Sequence, residues 1–92
     1  MIKSFKCKDT RALSEGRNVK RFTNIAKVAR RKIRQLEIAS RLDDLRVPPG
    51  NRFEALKDDR VGQYSIRIND QWRLCFQWTD AGADHVEIVD YH

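Results

Sequence analysis

Gln71-Trp72-Arg73-Leu74-Cys75-Phe76-Gln77-Trp78, followed after the polar stretch Thr79 to Asp84 by Val86-Glu87-Ile88-Val89-Asp90-Tyr91-His92, decides how this chain folds. In the first run Trp72, Leu74, Phe76 and Trp78 alternate with Arg73, Cys75 and Gln77, the two-residue period of a strand with one apolar face. In the second, Val86 and Ile88 alternate with Glu87 and Val89, and the strand carries Asp90, Tyr91 and His92 to a sheet edge. Just upstream, Tyr64, Ile66 and Ile68 alternate with Ser65 and Arg67, and Asn69-Asp70-Gln71 supplies a turn, so the two runs form a hairpin.

Working toward the N-terminus, Arg52-Phe53-Glu54-Ala55-Leu56 is a further short strand, separated from the hairpin by a polar turn at Lys57 to Gly62. Pro48 and Pro49 forbid helix, so Ala39 to Leu45 is a short second helix or the tail of the first. From Val19 or Thr23 the period changes. Phe22, Ile25, Ala29, Ile33 and Leu36 recur at threes and fours, on one face of a long helix. Ser14 to Asn18 reads as a loop, Asp9 or Thr10 caps a single helical turn through Leu13, and Ile2 and Phe5 open the chain as a short strand. Helices followed by sequential strands predict an α+β domain, with N-terminal helices packed on a four- to five-stranded, mainly antiparallel curved sheet. The 92 residues suffice for a single domain spanning 1–92 with one core.

The net charge is +6, unevenly spread. Arg17, Lys20, Arg21, Lys27, Arg30, Arg31, Lys32 and Arg34 all lie between Gly16 and Leu36 with no acid among them, which leaves the rest of the chain slightly acidic. Such a segment is the footprint of polyanion binding, because each cation that neutralises a phosphate releases condensed counterions. An acidic protein partner is served equally well, and a solvated helix face is the bland alternative. Cys7 and Cys75 are too few and too far apart for a disulfide framework or a zinc site, in keeping with a reduced cytoplasmic protein. No apolar run is long enough for a signal peptide or a bilayer span, which argues against a membrane partner.

Alternation turns Arg73 away from the helix-packed core, onto a face shared with Ser65, Arg67 and Gln77. A guanidinium on an open sheet face suits bidentate phosphate binding and stabilises charge that builds during phosphoryl transfer; pairing with Glu87 on the next strand is the structural alternative. His92 has the side chain best matched to proton transfer near neutrality, Tyr91 can stack on a base, and Asp90 can orient a basic neighbour. His85 lies beside a turn and reads as solvated. No His or Cys pair has ligand spacing, no Gly-rich phosphate loop occurs, and Asp43-Asp44 and Asp58-Asp59 are adjacent rather than converging, so neither metal nor cofactor is expected. An inventory of Arg, His, Tyr, Asp and Lys suits RNA cleavage, in which the substrate's 2′-hydroxyl is the nucleophile.

Three stretches carry a resemblance: Pro48-Pro49-Gly50-Asn51-Arg52-Phe53-Glu54-Ala55-Leu56-Lys57, Gly62 to Phe76, and Val86 to His92. Together they resemble the HigB-type toxins of the RelE/ParE superfamily, in particular its HigB/GraT branch. The resemblance implies a microbial RNase fold and a type II toxin neutralised by a HigA-type antitoxin, a helix-turn-helix protein with which it forms a heterotetramer. It also implies metal-independent cleavage of mRNA in the A site of the 70S ribosome. By motif position Arg73 binds the scissile phosphate, His92 is general acid or base, Tyr91 positions the RNA, Asp90 orients a basic group, and Lys57 adds positive charge. Some members carry a histidine where this chain has Glu54, so Glu54 either replaces it as base or is silent. Two further readings stand beside this one: a non-nuclease ribosome- or nucleic-acid-binding growth inhibitor, and a ParE-like gyrase inhibitor, against which the Asp-Tyr-His sequence argues.

Overall fold

A computed structural model describes residues 1–91. Helix α1 spans Lys8–Ser14 and α2 spans Ala26–Ile38, and both lie on one side of a sheet made of β1 (Glu54–Ala55), β2 (Gln63–Arg67), β3 (Trp72–Thr79) and β4 (Gly82–Asp90). The four strands are antiparallel neighbours in chain order. This is the expected α+β arrangement of helices on an antiparallel sheet.

The long helix is shorter than its apolar period suggests. Lys20–Ile25 is 3-10 and only then does α2 begin. Val19, Phe22, Thr23, Asn24 and Ile25 are weak helix formers, and the Thr23 hydroxyl donates to the Lys20 carbonyl at 2.8 Å, favouring the tighter turn. Phe22 and Ile25 are nonetheless buried with Ala29, Ile33 and Leu36, so the period identified the packing face correctly. Against them lie Ile66, Leu74, Phe76, Val86 and Ile88 from the sheet, all essentially buried.

Between α2 and β1, Leu42–Arg46 and Pro49–Asn51 are 3-10 turns, and Asp58–Arg60 is another between β1 and β2. The strand read at Arg52 to Leu56 contracts to Glu54–Ala55 because Arg52 is left-handed (φ 44°) and Asp58 is too (φ 56°), so the extended backbone is bounded at both ends. A short edge strand also limits unwanted pairing.

Beside β4 the first residues run parallel as a partial fifth strand: Ile2 bridges to Ala83 and Phe5 to Val86. Here β4 carries an extra residue. Cys75 faces Glu87 and Gln77 faces Asp84, so three steps on β4 match two on β3. His85 takes up the bulge with φ 52°, and the Ser4 hydroxyl accepts its N–H at 2.9 Å. The bulge lets both Ala83 and Val86 turn inward although they are three apart. β4 therefore starts at Gly82, earlier than the sequence suggests, after a turn closed by Thr79, whose hydroxyl meets the Gly82 carbonyl at 3.1 Å.

Gly82 sits where the N-terminal segment crosses closely. Its φ is +126°, and a Cβ there would overlap the Met1 carbonyl oxygen, which accepts the Ala83 N–H at 2.8 Å. Gly82→Ala is expected to lower folding stability by about 2 kcal/mol or more, combining backbone strain with loss of the N-terminal docking. Urea unfolding of the two proteins checks this, and an unchanged midpoint would refute it.

Candidate active site on the open sheet face

The face of the sheet away from the helices carries a transverse row set by register alone: Glu54 opposite Ser65, Ser65 opposite Cys75, and Cys75 opposite Glu87. Arg73 is one pair along, between Arg67 and Val89. Like charges face each other at Arg67 and Arg73, and the two side chains diverge: Arg67 pairs with Asp70, while Arg73 leans back over Ser65.

Arg73 is tied down. Its Nε donates to Ser65 Oγ at 2.7 Å, and Nη2 donates to the Arg52 carbonyl at 2.6 Å and more weakly to the Ser65 carbonyl at 3.4 Å. Glu54 Oε1 stands 3.9 Å from Nε, a loose ion pair with a side chain that is 12% exposed on the arginine side and 54% on the glutamate side. Nη1 has no protein acceptor among the described residues. The alternative pairing of Arg73 with Glu87 does not occur; Glu87 is held by Lys6 at 3.4 Å and Arg60 at 3.5 Å.

Tyr91 has the same parity as Glu87 and Val89 and lies on this face, its N–H donating to the Gln71 carbonyl at 2.5 Å. Burial, then the neighbouring Cys75 and Glu54, hold its hydroxyl above the ordinary phenol range, while Arg60 and Arg73 pull the other way. The phenol thus shares its surroundings with both arginines. Asp90, of opposite parity, faces Trp72 across the ladder and accepts from Gln71 Nε2 at 3.1 Å. His92 lies outside the described residues. His85 is exposed at the bulge, 3.9 Å from Asp84.

Lys57 is exposed on the turn after β1, and its side chain makes no ion pair or hydrogen bond among the described residues. Arg60, three residues on, is a further cation on the face, and its Nη1 donates to Gln63 Oε1 at 3.0 Å. Sequence reading missed Arg60 because a residue in a turn has no strand parity to assign its direction; Glu87, considered only as a partner for Arg73, is its acid.

The basic segment divides. Arg17 pairs with Glu15 at 2.9 Å and Arg21 with Asp9 at 3.1 Å, so acids outside the segment meet it after all. Arg30 donates to the carbonyls of Leu13 and Arg17. Lys32, read as part of the basic surface, is corrected: it is 8% exposed and donates to Asn51. Lys20, Lys27, Arg31 and Arg34 remain exposed and form no ion pair among the described residues. No cluster of three or more potential metal-ligating side chains occurs among the described residues, and no helix there is long and apolar enough to cross a membrane.

Helices packed on one face of a four-stranded antiparallel sheet are consistent with the fold of a RelE-like toxin. The family of RelE-like toxins described as HigB, of type II toxin-antitoxin systems, matches residues 4–92, and the chain belongs to this HigB-like toxin family. It is 53% identical over 53 residues to Toxin HigB-1 of Vibrio cholerae, covering 58% of this chain and 56% of that protein. It is also 38% identical over 56 residues to an uncharacterized protein of Haemophilus influenzae, covering 61% and 55%. The chain thus spans about half the length of the curated relatives it matches.

The two thiols should behave differently. Cys75 is fully buried, and burial pushes its pKa up to about 11, opposed by Arg60 and Arg73. For Cys7 burial also pushes upward, but hydrogen bonds from Thr10 and Asp9 and the charge of Arg21 outweigh it, and its pKa falls below the ordinary thiol range. A thiol-specific reagent near neutrality should label Cys7 quickly and Cys75 only on unfolding. As pH rises past the ordinary thiol range, the unfolded chain loses the Cys75 proton while the folded chain keeps it. The unfolded state then binds fewer protons and stability falls, by about 1–3 kcal/mol in total. Urea titrations across that range should show the fall in the wild type and a shallower one in Cys75→Ala; identical slopes would refute it.

Proposed function

We propose that this toxin is a metal-independent endoribonuclease that cleaves mRNA in the ribosomal A site and is neutralised by a HigA-type antitoxin. The observation that carries the reading is Arg73: a guanidinium set into an open sheet face, oriented by Ser65 and Arg52, near Tyr91 and the Glu54 carboxylate. Ser65 and Arg52 occupy two edges of its donor fork, and Nη1 is left for a phosphate oxygen.

In the proposed reaction the RNA 2′-hydroxyl attacks the adjacent phosphorus, the bond from phosphorus to the 5′-oxygen breaks, and a 2′,3′-cyclic phosphate and a 5′-hydroxyl form. Glu54 takes the proton from the 2′-hydroxyl, in place of the histidine that some relatives carry there. Its side chain, 54% exposed and loosely paired with Arg73, is open to a substrate on this face. His92 delivers a proton to the departing 5′-oxygen. Arg73, assisted by Arg60, stabilises the extra negative charge on the phosphate in the transition state. Tyr91 stays protonated and packs against a base or sugar, Asp90 and Gln71 fix the strand end that carries it, and Lys57 meets the RNA backbone farther out. In this scheme Glu54 and His92 carry the proton transfers and Arg73 the charge stabilisation, the parts a metal ion would otherwise play.

A stable dock on ribosomal RNA is the role proposed for Lys20, Lys27, Arg31 and Arg34, cations that no acid of the described chain neutralises. Arg17, Arg21 and Arg30 stand at its border, their charges partly committed to the protein. A growth inhibitor that only binds the ribosome would use the same patch, so cleavage must be tested directly.

In a translation reaction with defined mRNA, A-site cuts should appear with the wild type. They should fall by about 100-fold or more in Arg73→Ala and in Glu54→Gln, and by roughly tenfold in Arg60→Ala. His92→Ala should also be severely impaired. Complete arrest with intact message would sink the nuclease reading. Reversing Arg31 and Arg34 to Glu should weaken ribosome co-sedimentation and reduce its salt dependence by about one phosphate contact per residue.

A further inference from the structure

The proposed phosphate site does not account for the buried polar node on the other side of the sheet. Lys32 of α2 is 8% exposed, and its Nζ donates to Asn51 Oδ1 at 2.5 Å. Asn51 is itself fully buried, with Nδ2 facing the carbonyls of Leu45 at 3.0 Å and Val47 at 3.4 Å and Gln35 Oε1 at 3.2 Å. Gln35 closes the ring by donating to the Val47 carbonyl at 2.6 Å. An ammonium in such a place is costly, and burial, with Arg31 and Arg67 nearby, holds its pKa below the ordinary lysine range. If the position only filled space, an apolar side chain would serve at least as well. A buried polar network is better suited to fixing one backbone geometry among several.

The geometry it fixes is that of the next residue. The Asn51 N–H donates to the Pro48 carbonyl at 2.9 Å and the Arg52 N–H to Pro49 at 3.0 Å, closing the turn. Arg52 then adopts φ 44° and ψ 53°, a left-handed conformation that a side chain disfavours and that its surroundings must impose. Downstream, Phe53 stacks on Tyr64 with ring centroids 5.6 Å apart, and Glu54 enters the sheet opposite Ser65. Arg52 is therefore clamped between a buried node and a sheet edge, and its carbonyl accepts Arg73 Nη2 at 2.6 Å. Ser65 holds Arg73 only at Nε and, weakly, Nη2; rotation of the guanidinium about that bond is stopped by Arg52.

We propose that Asn51 and Lys32 are positioning residues for Arg73, acting through the backbone of Arg52 to fix the guanidinium for a phosphate. This rests on the reading of Arg73 as the phosphate-binding group of a nuclease. Neither residue touches the RNA. Their loss lowers the rate of cleavage at bound ribosomes and leaves ribosome affinity, which the exposed cations supply, in place.

The test compares the wild type with Asn51→Ala and, because that variant risks unfolding, with Lys32→Met, which refills the buried volume and leaves the Asn51 amide donations intact. Single-turnover cleavage on programmed ribosomes should slow by about tenfold in Asn51→Ala and by less in Lys32→Met, while half-saturation changes by no more than about twofold. In parallel, the 15N–1H signal of Arg73 Nε should shift and exchange faster with water in both variants. Unchanged cleavage rates in folded variants, or an unchanged Arg73 signal, would overturn the proposal. If the wild type itself does not cut, the nuclease reading fails, and the Arg73 signal alone still decides whether the node positions the guanidinium.

Discussion

The pairing of β3 with a neighbour on each side holds the fold together and sorts its chemistry. Because successive side chains of a strand point to opposite faces, Leu74 and Phe76 cannot enter the core without sending Arg73 and Cys75 the other way. A slip of one residue would bury a guanidinium under α2 and expose the aromatic face. The apolar burial that stabilises the molecule therefore also fixes where Arg73 stands, and the bulge at His85 restores inward packing for Ala83 without disturbing the row at Cys75 and Glu87.

What the register cannot set is the direction of the guanidinium once it leaves the sheet. A long, flexible side chain on an open face loses conformational entropy when it is held in one rotamer, so an arginine that must meet its ligand in one orientation needs partners already in place. Here Ser65 supplies one from the sheet and Arg52 supplies another from a turn outside it. Both are neutral acceptors, which orient the group without cancelling its charge. The carboxylate that does approach, Glu54, stops at 3.9 Å and is mostly in solvent, where a screened ion pair contributes little. The face thus holds an oriented guanidinium whose charge is not cancelled by a close carboxylate.

Much of this was legible in the sequence wherever a period was present. The alternation around Trp72 gave the hairpin, the face of Arg73 and its companion Ser65, and the threes and fours from Phe22 to Leu36 gave the packed face of α2. The misses fall where no period operates. Lys32 read as one more cation on a basic helix, because burial of a polar residue depends on a partner, Asn51, nineteen positions away in a loop. Arg60 lies in a turn, where no strand parity assigns a direction to its side chain. The bulge at His85 depends on the N-terminal Ser4, which no local pattern connects to it. The acids that meet Arg17 and Arg21 likewise come from α1 and its end, outside the run in which charges were counted.

The two charge systems differ in a way that bears on how a polyanion would be handled. On the open face Arg73, Arg60 and Lys6 are accompanied by Glu54 and Glu87, so most of the positive charge is compensated and the site by itself offers limited long-range attraction. Around α2, Lys20, Lys27, Arg31 and Arg34 carry positive charge that the described chain leaves uncompensated. Exposed charges act over about 8–10 Å at physiological salt, enough to steer an RNA surface toward the helical side but not to orient one phosphate on the far side of the sheet. Affinity and chemistry would then be assigned to different faces of one small molecule. In the proposed reaction a largely balanced site would not grip every phosphate that reaches it, and its arginines would gain most where new negative charge develops, in the transition state.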